Sequence, residues 1–291
     1  MGILERFFGK KPPSSPPVLS EESLRAVFGE ENVKYATCIA VDVVDPDMVV
    51  AGRDQIGGVP ANIGADRWPT CADCNTPMTF IGRVACGPEE LVRYPSRGSV
   101  AIFLCNSEPP SIEQLCETHE GEGYSDVFFV EEGATASTMF DDKQLRAIAE
   151  AQRANKRYSL DRSSPYPKQF LLPARDGFRG RPALGNAFRV ERRATLSCDT
   201  PPTREAAELH HAFSEQHPEL FPPIAIEIDT FPMWVQGPEQ ETCTCGAPME
   251  LLLQFDSFDD AINLGDAGRA YVFACEKRCG PRSFILRWTC C

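Results

Sequence analysis

The sequence predicts an α+β protein, mainly antiparallel β, in which a β-rich unit is internally duplicated and carries two zinc-ribbon-like sites. Three observations predict it. Short apolar or alternating runs separated by turn residues dominate the chain. Helical periodicity is confined to a few segments. One order of cysteines, Pro-Met and glycine also occurs twice, at 57–105 and 231–275.

Taken in order, residues 1–19 form a separate arm, with Ile3, Leu4, Phe7 and Phe8 set against Glu5, Arg6, Lys10 and Lys11 before KPPSSPP. Proline at that density reads as an extended spacer, so the arm is expected to be solvated and to touch a membrane surface only weakly. A first β-rich repeat follows at 20–140. Ser20 with Glu21 and Glu22 caps a helix to about Phe28, and YATCIAVDVV (35–44), VAIFLC (100–105) and DVFFV (126–130) read as strands. A connector is expected at 141–195, beginning with a helix capped by Asp141 or Asp142, with Leu145, Ile148, Ala149 and Gln152 on its periodic face. Its remainder, 163–193, is rich in Pro, Gly and Arg and predicts irregular structure or short strands. The second repeat, 196–291, holds a helix from Thr203 to Gln216 stopped by Pro218, then the strands IAIEIDTF, MELLLQF, AYVFAC and SFILRW.

The 291 residues leave room for two domains, and 42% hydrophobic with 24% charged residues excludes wholesale disorder. No run approaches the eighteen or so apolar residues of a spanning helix. Thirteen cysteines stand in a chain that opens MGILERFFGKK, which lacks a secretory pattern. A cytoplasmic location is therefore expected, with thiols kept reduced as metal ligands or core residues. The net charge of −13 disfavours nucleic-acid binding by the whole surface. Locally the balance reverses: Lys143 to Arg193 holds thirteen basic and four acidic residues, against sixteen and thirty-eight elsewhere.

The repeated order gives the cysteines a chemistry. The first copy reads Trp68, CADCNTPMTFIG (71–82), Gly98 and Cys105; the second reads Trp234, CTCGAPMELLLQ (243–254), Gly268 and Cys275. Cys71 to Cys105 spans 34 positions and Cys243 to Cys275 spans 32. A cysteine pair on a tight turn plus cysteines at a distant strand end is the layout of a structural zinc site. The expected ligands are Cys71, Cys74, Cys105 and Cys116 in the first set, with His119 an alternative to Cys116. In the second they are Cys243, Cys245, Cys275 and Cys279, with Cys290 or Cys291 an alternative to Cys279. Up to two structural Zn2+ ions are expected. Cys38, Cys86 and Cys198 stand alone and read as core or surface thiols. No catalytic set emerges: His119, His210, His211 and His217 have no nucleophile signature around them, and Gly57-Gly58 precedes Val-Pro rather than a phosphate-cradling helix.

IGGVPANIGADRWP with CADCNTPMTFIGRV, then FPMWVQGPE, CTCGAPMELLLQFDS and GDAGRAYVFAC, resemble the repeated signature of the superfamily joining bacterial YwqG-like proteins with eukaryotic programmed cell death protein 2. The motif falls on Gly57, Gly58 and Pro60, on Gln254, and on Gly265, Asp266 and Gly268. Gly82-Arg83 stands where the first copy would carry the Gln, and Phe231-Pro232 replaces Gly-Gly in the second. The resemblance implies a duplicated antiparallel β fold and, from its eukaryotic members, a chaperone-like module for a ribosomal protein. The acidic balance outside 143–193 suits a basic client. RNA binding through 143–193 is the alternative, with Arg153, Lys156, Arg157, Lys168, Arg175, Arg179 and Arg181 as candidate contacts among interleaved aromatics. Toxin immunity is a third reading.

Overall fold

A computed structural model of the chain describes residues 18–42, 53–56, 60, 62–72, 75, 77–105, 124–135, 141, 143–144, 189–199, 201, 203–221, 224–256, 264 and 268–290. They form a mainly antiparallel β structure of ten strands with two α-helices among the described residues. The strands are β1 (Val33–Asp42), β2 (Gln55–Ile56), β3 (Thr79–Cys86), β4 (Gly98–Leu104), β5 (Ser125–Glu131), β6 (Arg189–Cys198), β7 (Ile224–Ile228), β8 (Met249–Asp256), β9 (Arg269–Cys275) and β10 (Phe284–Thr289). A four-stranded sheet has the order β2-β3-β4-β5, and a six-stranded sheet the order β10-β9-β8-β7-β1-β6.

The helices follow local signals. In α1 (Glu21–Phe28) the Ser20 amide donates to Ser23 Oγ, acidic residues fill the first turn, and Gly29 at φ 94° ends the helix. In α2 (Arg204–Gln216) Thr203 Oγ1 accepts from the Ala206 amide, and Pro218 opens a short 3-10 turn beyond it. Leu24 and Phe28 of α1, Ala206 and Phe213 of α2, and Val33 and Leu196 from β1 and β6 close a small second core. The helix expected from Asp141 lies almost wholly outside the described residues.

The main core lies between the sheets, where Val84, Val100 and Ile102 of the smaller sheet share one cluster with Ile39, Leu253 and Val272 of the larger. Every residue of β4 and β9 is buried. Each has its other face covered by a tryptophan from a preceding loop. Trp68 lies edge-on to Phe103 at 5.0 Å, and Trp234 lies over Tyr271 at 4.8 Å and stacks on Phe273 at 6.3 Å. At the margins β5 lies against β10 and β2 against β6.

The hairpins β3–β4 and β8–β9 share details beyond strand order. An isolated antiparallel bridge precedes each, Thr70 to Pro77 and Thr242 to Pro248. A register shift comes four residues after each proline, at Ile81 and Leu252. A crowded glycine stands at the head of the strand leading to each cysteine, opening β4 at Gly98 and immediately preceding β9 at Gly268. A Cβ on Gly98 would lie 2.2 Å from Val130 O, and one on Gly268 1.7 Å from Leu264 O.

β6 occupies a stretch whose composition predicts irregular structure or short strands to Arg193, and it runs on as one ten-residue strand across 195–196. Ten residue pairs with β1 fix it, a partner too distant in sequence to be read locally. No helix among the described residues is long and apolar enough to cross a membrane.

Candidate metal centre

The backbone prepares two facing turns. After the Thr242–Pro248 bridge, Cys243 N donates to Ala247 O (2.9 Å) and Gly246 N to Cys243 O (2.7 Å), with Gly246 at φ 79°. Opposite, Cys275 ends β9, its amide donating to Ser283 O (2.9 Å), while Arg278 N returns to Cys275 O (2.9 Å) at φ 47°. Glu276 N donates to Pro248 O (3.1 Å) and joins the turns. Cys243 and Cys275 are buried against Ala247 and Met249; Cys245 and Cys279 are exposed.

The four sulfurs converge. Cys243 Sγ lies 3.5 Å from Cys279 Sγ and Cys245 Sγ 3.6 Å from Cys275 Sγ, and all four lie within 4.8 Å of one another. A tetrahedral ion with metal–sulfur bonds of about 2.3 Å sets its sulfurs about 3.8 Å apart. The arrangement is therefore metal-compatible, and it supplies four soft donors. The Cys245 amide at its sulfur, with help from the Cys279 thiol, lowers Cys243 to about 6. Cys279, donating to Cys243, is pushed up to about 12.

The first set has part of the same frame. Asn75 N donates to Cys71 O (3.0 Å) with Asn75 at φ 56°, and Cys105 N donates to Tyr124 O (2.6 Å), as Cys275 does to Ser283. Met78 N donates to Pro69 O (3.0 Å), as Met249 N does to Glu241 O (3.0 Å) at the second set. Cys71 and Cys105 are buried. Cys74, Cys116 and His119 lie outside the described residues, as does Cys291. Cys290 packs at the main core, away from the cluster formed by Cys243, Cys245, Cys275 and Cys279. The three solitary cysteines are core thiols: burial pushes Cys38 and Cys198 up to about 11 and Cys86 to about 12, so all stay protonated at neutral pH.

Gln254 is a structural brace. It is 1% exposed, its amide nitrogen donating towards Glu227 (2.7 Å), Thr230 Oγ1 (2.8 Å) and Phe231 O (2.9 Å) while its oxygen accepts from Met233 N (3.0 Å). Beside it Arg269 pairs with Glu227 (3.3 Å) and Asp256 (2.6 Å), so the loop carrying Trp234 is pinned to β7 and β8. Arg83 stands at the corresponding register position after the first bulge and donates to Asn62 (2.8 Å) in the loop after β2. Pro60 is buried and Gly268 admits no side chain. Gly57, Gly58, Gly265 and Asp266 lie outside the described residues. So do Arg153, Lys156, Arg157, Lys168, Arg175, Arg179 and Arg181.

Sequence reasoning missed the arginine inside the second cysteine pair. Arg278, between Cys275 and Cys279, donates through Nε to Arg93 O (3.1 Å) and pairs with Glu250. Its position within the Cys-x-x-x-Cys spacing is the signal that marks it. Set against known protein families and against characterised proteins, the chain matches none of them.

Proposed function

We propose that the protein is a non-enzymatic binding module of the YwqG-like and programmed cell death protein 2 kind, internally duplicated and held by structural zinc. The observation that carries this reading is the convergence of Cys243, Cys245, Cys275 and Cys279 to within 4.8 Å. Four thiolates fill a tetrahedral zinc, leaving no position for water or substrate, so the ion stabilises fold rather than activating a nucleophile. The shared bridge, bulge and glycine of the two hairpins support the duplication. Cys71, Cys74 and Cys105, with Cys116 or His119, would hold a second ion.

The client is a basic protein, a ribosomal one by the resemblance, drawn by the acidic balance outside 143–193. Metal analysis with affinity capture tests both layers. Zinc bound to the purified chain, and basic proteins enriched over a mock capture, support the reading. Absence of bound metal removes the zinc layer, and captured RNA lost steeply with added salt favours the alternative through the basic stretch.

A further inference from the structure

We infer that the cysteine cluster is a metal-dependent clasp between the two sheets; this rests on the zinc reading of the same four cysteines. The turn Glu276–Ser283, which carries Cys279 between β9 and β10, is also a segment of the larger sheet that grips the smaller one. Arg278 Nε donates to Arg93 O (3.1 Å), Gly280 O accepts from Tyr94 Oη (3.2 Å), Pro281 O accepts from Phe129 N (2.8 Å), and Arg282 pairs with Asp126 (2.7 Å). These four gripping residues lie within three positions of Cys279. Beneath them Tyr94 stacks on Phe129 at 4.0 Å and on Phe284 at 5.9 Å, forming an aromatic seam where β5 meets β10.

The geometry couples two events. An ion drawing Cys279 towards Cys243 fixes the path of 276–283, and that path presents Gly280 O and Pro281 O to the other sheet. Without the ion this turn keeps Arg278 N to Cys275 O and Ser283 N to Gly280 O, but loses the anchor at its middle. The opposite margin is closed without cysteine. Arg192 donates to both carboxylate oxygens of Asp54 (2.6 and 3.1 Å), to Ala85 O (2.9 Å) and to Glu90 (3.2 Å). Metal loss therefore opens one seam and leaves the other shut. Because coupling is reciprocal, a weakened seam also weakens metal binding by the same factor.

The test uses the full chain loaded with zinc. Hydrogen exchange is followed at the Phe129 amide and across 93–97, before and after chelation, with Ala85 and 189–198 as the reference margin. Faster exchange at Phe129 with an unchanged reference margin is the expected result. In parallel, zinc affinity is measured by competition for Tyr94→Phe combined with Asp126→Asn, which leaves every thiol in place; about tenfold weaker binding is expected. Stoichiometric zinc with unchanged exchange at Phe129, or a variant that binds zinc as the parent does, overturns the clasp and leaves the zinc reading standing. A chain that binds no zinc overturns both. If chelation unfolds the whole chain, the variant's affinity decides.

Discussion

The two hairpins β3–β4 and β8–β9 share a bridge, a bulge and a crowded glycine, yet they part company beyond the closing cysteine. After Cys275 the chain turns and offers Cys279 four residues later. After Cys105 the next cysteine is eleven residues away, at Cys116. A four-residue closure costs less entropy than an eleven-residue one, by about 1 kcal/mol on the logarithmic law. The described cluster is thus closed within one hairpin and its return turn, whereas a set built on Cys71 and Cys105 would need a further ligand from farther along the chain. A cysteine turn before one strand is therefore only half such a cluster, and the return turn after the next strand sets the rest.

The largest expected effect breaks this comparison outright. Cys275→Ser removes a buried member of the four-cysteine cluster and, on the proposed zinc reading, is expected to lower stability by about 3–5 kcal/mol, or about 10 °C in Tm. Cys105→Ser is expected to cost about 1–3 kcal/mol, the cost of burying a hydroxyl in the main core. Thermal unfolding with metal analysis of each variant separates them, and equal losses would remove the distinction. Next comes the polar brace. Gln254→Leu strands Met233 N and Phe231 O and is expected to cost about 3 kcal/mol in denaturant unfolding. Arg83→Leu, losing the tie to Asn62, is expected to cost about 1 kcal/mol.

The smallest effect lies outside both hairpins and serves as their control. His217 Nε2 meets Leu19 O at 2.9 Å, and that bond, with Glu219 at 3.3 Å, raises the imidazole above its ordinary value. A raised folded value stabilises below the unfolded value of about 6.5 and loses that contribution as pH rises through the folded one. Leu19 should therefore loosen from the end of α2 in mild alkali, seen as a His217 titration and faster exchange near Leu19. A His217→Gln chain should lack this pH dependence, and neither hairpin should respond.

What the sequence made legible was what is local. Thr203 and Pro218 bound α2 because a cap and a breaker act within a turn. The second cysteine set is legible because its spacing reflects one hairpin and two turns. β6 is not, since its ten pairs are with a strand about 150 residues earlier and its own composition argues for a connector. Nor is the Arg192–Asp54 contact, 138 positions apart in sequence. Gln254 is marked by the resemblance, but its role emerges only from the four groups that surround it.

The meeting of sheet margins also bears on self-association. An exposed strand edge is a template on which another chain can add a strand. Here β10 and β5 lie against each other, and β2 covers one end of β6. β6 itself carries Glu191, Arg192 and Arg193, charges that discourage a neutral strand from docking. A chain in which β10 and β5 parted would uncover two strand edges together, so their contact keeps both from serving as templates.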